Sequence, residues 1–180
     1  MRNKRMLIII IVVLLIIVAT YSYKAFGNVK TYSYNKPTSA LGFQLNNPGN
    51  IRKSNDVFDG EIPSPNSSFK AFKTMAHGYR ALAIILYNYV TIYGSNTMSE
   101  IINRYAPPNE NNTTSYIDFV KDFTGIGTEK VLSKKSFIGF LGLDPDMKEI
   151  IRAISAKEIG YIDEQQLSEG YLMFLKEKLI

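Results

Sequence analysis

Asp144-Pro145-Asp146-Met147-Lys148-Glu149-Ile150-Ile151-Arg152-Ala153-Ile154-Ser155-Ala156-Lys157-Glu158-Ile159-Gly160 is the stretch whose reading decides the fold of this 180-residue chain. Met147, Ile150, Ile151 and Ile154 keep the spacing of a helix with one buried stripe. Asp144 is expected as N-cap, Pro145 at the first helical position, Asp146 in the first turn, and Gly160 at the end. Continuing the stripe by one turn lands on Glu158, so a carboxylate takes a core-facing position. Burial and the negative end of the helix dipole both disfavour its charge, which is how a general acid is prepared. The plainer alternative is a helix-end carboxylate that reaches solvent or pairs with Lys157 or Arg80. Glu149 lies off the stripe with Arg152 three residues on, and reads as a solvated pair partner.

Outward from this helix the same periodicity recurs. A last helix is expected over about Asp163 to Lys178, and one before it from about His77 to Tyr93, ended by Gly94. Between them, Thr97 or Ser99 can cap a helix holding Ile101, Ile102 and Tyr105, with Pro107-Pro108 as its stop. Ser115 then opens a short helix carrying Tyr116, Phe119, Val120 and Phe123, closed by Gly125 and Gly127. Lys130 to Phe140 stays ambiguous, with a short helix as one reading. Gly42 to Pro65 is dense in turn formers, including Asn46-Asn47-Pro48-Gly49-Asn50 and Asp59-Gly60, which leaves room only for short strands. The predicted class is mainly α, an α+β arrangement with a small irregular β region near its start.

The net charge of +5 is unevenly placed. Residues 1–23 hold Arg2, Lys4 and Arg5, no acid, and a wholly apolar run from Met6 to Ala19. Removing them leaves 18 basic against 16 acidic residues, or +2, which does not suit a basic nucleic-acid binder. The 18 residues from Met6 to Tyr23 would span roughly 27 Å as a helix at about 1.5 Å per residue, close to the thickness of a bilayer core. Tyr21 and Tyr23 stand where an interfacial belt is expected, and the basic residues ahead favour an N-terminus on the cytoplasmic side. A cleaved secretory signal is the rival, but no clean small-x-small site follows, so an uncleaved anchor is preferred. The domains are therefore expected as a transmembrane anchor at 1–23, a polar linker at 24–40, and an exported domain at 41–180.

With no Cys there is no disulfide, thiol nucleophile or thiolate metal site, and the single His77 cannot build a multi-His one. No metal or cofactor site is expected. His77 lacks the surroundings of a nucleophile elbow and reads as structural, and Gly125-Ile126-Gly127 lacks the rest of a phosphate loop. Glu110 precedes the helix near Ser115, a setting that stabilises a carboxylate's charge and suits water positioning better than acid catalysis.

The ordered series Leu45-Asn46-Asn47-Pro48-Gly49-Asn50-Ile51-Arg52, Phe58-Asp59-Gly60, Ser68-Phe69-Lys70-Ala71-Phe72, Gly78-Tyr79-Arg80-Ala81 and Ile101 to Pro108, continuing to Glu158-Ile159-Gly160, resembles a family of phage virion-associated, peptidoglycan-degrading proteins. The landmarks also resemble lytic transglycosylases and goose-type lysozymes in changed order, since the helix like their catalytic one comes late here and the segment with Tyr116 precedes it. The resemblance implies a circularly permuted lysozyme-like domain that cleaves the β-1,4 bond between N-acetylmuramic acid and N-acetylglucosamine. It implies Glu158 as the acid, Tyr116 orienting it, and Asn46, Asn47, Asn50 and Arg52 as a polar cleft wall with Tyr105 in the substrate site. Glu110 would activate water if the enzyme were a hydrolytic muramidase. Ile159 stands where the transglycosylases usually have Ser, and Phe58 and Tyr105 where the virion family tends to have Trp. The implied partners are glycan strands, a bilayer through residues 6–23, and virion membrane or capsid proteins. The implied location is the internal membrane of a phage virion, or otherwise the bacterial envelope. A non-catalytic, membrane-anchored virion or glycan-binding protein is the reading from another class.

Overall fold

A computed structural model of the chain describes residues 36–139 and 144–179. The anchor expected over residues 6–23 and most of the linker lie outside them. Among the described residues no helix is long and apolar enough to cross a membrane.

The end of the expected linker already belongs to the fold. Gln44 Nε2 donates to the Thr38 carbonyl, and Ala40 packs on the core as it enters α1 (Leu41–Gln44), a short helix the turn-rich composition does not announce. The β region is as small as predicted, with β1 (Glu61–Ile62) antiparallel to β2 (Ala71–Phe72) and an isolated bridge from Arg52 to Phe69.

The remaining elements are helices whose ends follow their local chemistry. Thr74 caps α2 (Met75–Thr91), and Thr97 forms a capping box with Glu100 at the start of α3 (Met98–Tyr105). α4 (Thr113–Thr124) begins two residues before the expected Ser115 because the Asn112 side chain accepts from the Ser115 N–H. The ambiguous stretch contains a 3-10 turn at Lys134–Phe137.

α5 (Asp146–Ile159) and α6 (Glu164–Lys178) complete the order. The expected capping by Asp144 is corrected: Pro145 occupies the N-cap and makes no side-chain bond there. Asp144 instead accepts from Lys148 at 2.9 Å and Arg152 at 3.2 Å. Arg152 also binds Glu149 and Glu164, which ties the first half of α5 to the start of α6. Glu149 is less solvated than expected, and burial holds its carboxyl above the ordinary value despite Arg152.

Met147, Ile150, Ile151 and Ile154 are fully buried, as the stripe requires. Each such side chain contributes about 1.5–3 kcal/mol by leaving water. They meet Tyr79, Leu82 and Leu86 of α2, Ile101 and Ile102 of α3, and Leu167 and Phe174 of α6 in one core. α2 and α6 lie along one another, and their close approach depends on Gly170, where a Cβ would strike the Ala76 carbonyl.

Candidate active site

The last turn of α5 is held by a buried relay. Asp163 N–H donates to the Tyr79 hydroxyl at 3.2 Å, and Tyr79 lies 2.9 Å from Ser155 Oγ. Ser155 donates its own proton to the Tyr161 carbonyl at 2.6 Å, so Tyr79 is the donor to Ser155. Burial pushes the Tyr79 hydroxyl up to about 12, with the two hydrogen bonds opposing it. This relay fixes the α5 terminus against α2 one turn before Glu158.

Glu158 is half-buried and lines a cleft of about 750 Å³. Its two carboxyl oxygens have different partners. The Tyr116 hydroxyl donates to Oε1 at 2.8 Å, and Asn50 Nδ2 donates to Oε2 at 2.9 Å while also reaching the Glu158 backbone carbonyl at 3.3 Å. Both donors are uncharged, and among the described residues Glu158 forms no ion pair. Lys157 lies instead near the Tyr116 and Phe119 rings, and Arg80 pairs with Glu177, so neither alternative partner is used.

Each donor is itself fixed. Tyr116 is 3% exposed, and burial, with Tyr105 and Glu158 nearby, raises its hydroxyl well above the ordinary value. It therefore stays a donor at any working pH. Tyr105 donates to the Gly49 carbonyl, and burial followed by the Glu158 charge raises its hydroxyl in the same way. Asn50 holds a left-handed backbone at φ 47°, a conformation Asn tolerates better than most residues. α1 presses on this point through Gly42, where a Cβ would collide with Asn50, the Asn47 carbonyl and Ile159. Ile159 is thus a buried packing residue under α1.

Of the expected polar wall, Asn50 and Arg52 line the cleft, and Asn46 and Asn47 do not. Asn47 is fully buried, with Nδ2 donating to the Ile51 and Lys70 carbonyls and Oδ1 accepting from Ile51 N–H. Asn46 spends its amide on the Phe72 and Lys73 carbonyls. Both asparagines hold the turn that presents Asn50. Arg52 and Glu110 come from distant segments and form an exposed 2.8 Å ion pair at the cleft. The geometry therefore gathers Glu158, Asn50, Arg52, Tyr105 and Glu110 around one opening, with Tyr116 behind Glu158. His77 lies outside it, bonded through Nδ1 to Thr74 Oγ1 and stacked over Gly60.

Lys70 was not singled out as a site residue by the sequence pattern. It is 2% exposed, and its Nζ donates to the Asp56 carbonyl at 2.7 Å, to Glu61 Oε1 at 2.9 Å and to the Ser54 carbonyl at 3.3 Å. Ser54 and Asp56 line the cleft, so this lysine pins one bank. Its signal was a lone cation inside the apolar run Phe69-Lys70-Ala71-Phe72. Among the described residues no cluster of three or more His, Asp or Glu could hold a metal ion.

The chain is 37% identical over 114 residues to Protein P5 of Pseudoalteromonas phage PM2, an alignment covering 61% of this chain and 71% of that protein. The chain belongs to the P5 family. No protein-family model matches it. P5 family membership links the chain to a bacteriophage protein, in agreement with the phage side of the sequence resemblance.

Proposed function

We propose that this P5 family member is a membrane-anchored enzyme that cleaves the β-1,4 bond of peptidoglycan between N-acetylmuramic acid and N-acetylglucosamine, acting as a lytic transglycosylase. The observation that carries this reading is the Glu158 carboxyl group, set in a cleft and held by two uncharged donors, Tyr116 and Asn50. The helical domain, with a small sheet ahead of it and the Glu158 helix late in the chain, supports a circularly permuted lysozyme-like fold. The P5 relationship supports a phage virion as its setting, and the apolar segment 6–23 supports an anchor that holds the domain near a cell wall.

The chemistry needs one carboxyl group used twice. Protonated Glu158 donates to the glycosidic oxygen as the bond to the muramic C1 breaks through an oxocarbenium-like transition state. The resulting carboxylate then takes the proton of the muramic C6 hydroxyl, whose oxygen closes on C1 to give a 1,6-anhydro end. Glu158 recovers its proton and no water is consumed. Tyr116 and Asn50 supply hydrogen bonds that strengthen as Glu158 becomes charged.

A hydrolytic muramidase is the second reading, favoured by one observation: Glu110 places another carboxylate at the same cleft. The full chain, purified in mild detergent and run in a zymogram over purified cell wall, clears the wall if either enzyme reading holds, and Glu158→Gln does not. No clearing by the wild-type chain would leave a glycan-binding virion protein. Mass spectrometry of released fragments separates the enzymes, since anhydro ends belong to the transglycosylase and reducing muramic ends to the hydrolase.

A further inference from the structure

The lining of the cleft also includes a group of side chains that the proposed bond cleavage does not use. Tyr89, in the last turn of α2, and Tyr93, two residues beyond its end, have ring centroids 6.3 Å apart and planes at 72°. The Arg104 guanidinium carbon lies 4.3 Å from the Tyr93 centroid and 5.4 Å from that of Tyr89. Arg104 Nε reaches Ser95 Oγ at 3.3 Å, and among the described residues the guanidinium forms no ion pair. Despite these contacts Tyr93 remains 57% exposed.

The group is built on rigid backbone. Ile92 and Tyr93 N–H both bond the Asn88 carbonyl, Gly94 turns the chain at φ 70°, and Ser95 N–H returns to the Tyr89 carbonyl. A large aromatic ring is thus held half in solvent at low entropic cost, with the Arg104 guanidinium over one of its faces. Location adds to this. A second, shallower depression of about 610 Å³ is lined by Ser95, Glu100 and Asn103, and it shares Tyr93, Arg104 and Pro107 with the main cleft but not Glu158. Tyr93 and Arg104 therefore border both depressions. On α2 alone the cleft floor from Arg80 to Tyr89 runs roughly 13 Å at about 1.5 Å per residue, longer than a single sugar ring needs.

We propose that Tyr93, braced by Tyr89 and Arg104, is a distal binding station for a pyranose ring carrying an acetamido group. It rests on the glycan-cleaving reading of the same cleft and extends it to strand length. The side of the Tyr93 ring that Arg104 leaves open stacks on the apolar face of the sugar, and Arg104 donates past the ring edge to the acetamido carbonyl. Short strands reach Glu158 without touching this station, whereas long strands are held by both.

The test uses the full chain in detergent on a Glu158→Gln background, so that the probe is not consumed. Its probes are the trimer and hexamer of β-1,4-linked N-acetylglucosamine, measured by calorimetry. The hexamer is expected to bind more tightly than the trimer. Tyr93→Ala lowers hexamer affinity about tenfold and leaves the trimer within about twofold, while Tyr93→Phe keeps the hexamer advantage. Unchanged hexamer affinity in Tyr93→Ala removes the station and leaves the cleft reading intact, and so does equal weakening of both probes. If neither probe binds before Tyr93 is changed, the glycan reading and the station fall together. Because Tyr93 is exposed, a normal circular dichroism melt is expected for both variants.

Discussion

Tyr116→Phe isolates the contact on which the proposed chemistry depends. The substitution keeps the buried ring and deletes one hydroxyl, which donates to Glu158 Oε1 at 2.8 Å. While Glu158 is a neutral acid this bond is an ordinary one of about 1 kcal/mol, and as the proton leaves it becomes charge-assisted and roughly doubles in strength. The gain realised only in the transition state is therefore about 1–1.5 kcal/mol, or about tenfold in kcat. Tyr116 does not line the cleft, so KM should stay within about twofold. Asn50 still holds Oε2, so the carboxyl keeps its place. The stability loss should be about 1 kcal/mol, which lowers Tm by roughly 2–4 °C.

The assay is single-turnover release of soluble fragments from labelled peptidoglycan, paired with a thermal melt. Two results would refute the reasoning. A wild-type kcat in Tyr116→Phe would mean that the bond does not strengthen along the reaction. A loss confined to KM would mean that Tyr116 acts on substrate binding rather than through Glu158.

Other consequences follow from the same geometry. Lys70→Met leaves Glu61 and two loop carbonyls without their buried cation, and should cost about 3–5 kcal/mol, read as a fall in Tm of roughly 6–20 °C. Arg52→Ala breaks an ion pair whose side chains are 63% and 44% exposed, so its Tm should fall by less than about 3 °C. Glu110→Gln should keep cleavage within about tenfold if Glu158 acts alone, and loss of all fragment release would transfer the reaction to the hydrolytic scheme. Tyr79 has its hydroxyl raised from 10.0 to about 12, so the unfolded state loses this proton first as pH rises. Its contribution, about 2–3 kcal/mol, is complete below pH 10 and is lost between pH 10 and 12, which urea melts of the wild type and Tyr79→Phe across that interval would register as a shallower decline in the variant.

The parts of the fold that were legible are those where a local rule and the tertiary structure agree. The α5 stripe is buried where the periodicity put it, and Thr97, Asp163 and Gly160 begin or end helices as expected from their chemistry. Asp144 shows how such a rule loses. Its carboxylate had a choice between backbone N–H groups and two cations, Lys148 and Arg152, brought close by the helix itself, and the charged partners won. α1 was illegible because its four residues carry no period; it exists because Gly42 lets it press against Asn50 and Ile159.

The site divides along the same line. Glu158 was visible as a violation of the stripe, since a carboxylate in a core-facing position is a local inconsistency, and the structure resolves it with a cleft and two side-chain donors. Asn46, Asn47 and Asn50 look alike in sequence, and nothing in composition separates two that satisfy backbone groups from one that reaches a carboxylate 108 residues away. The separation comes from the chain path: the left-handed φ at Asn46 and again at Asn50 turns the segment twice, burying Asn47 between them and directing Asn50 toward α5. The polar segment is thus a structural clamp with one outward member, and replacing Asn50 by Gly, which keeps the left-handed backbone, should weaken the hold on Glu158, whereas replacing Asn47 by Ala should unfold the turn itself. Limited proteolysis around residues 46–52 separates the two outcomes. Rapid cleavage in Asn47→Ala with protection in Asn50→Gly is expected, and equal protection in both would mean that Asn47 does not carry the turn.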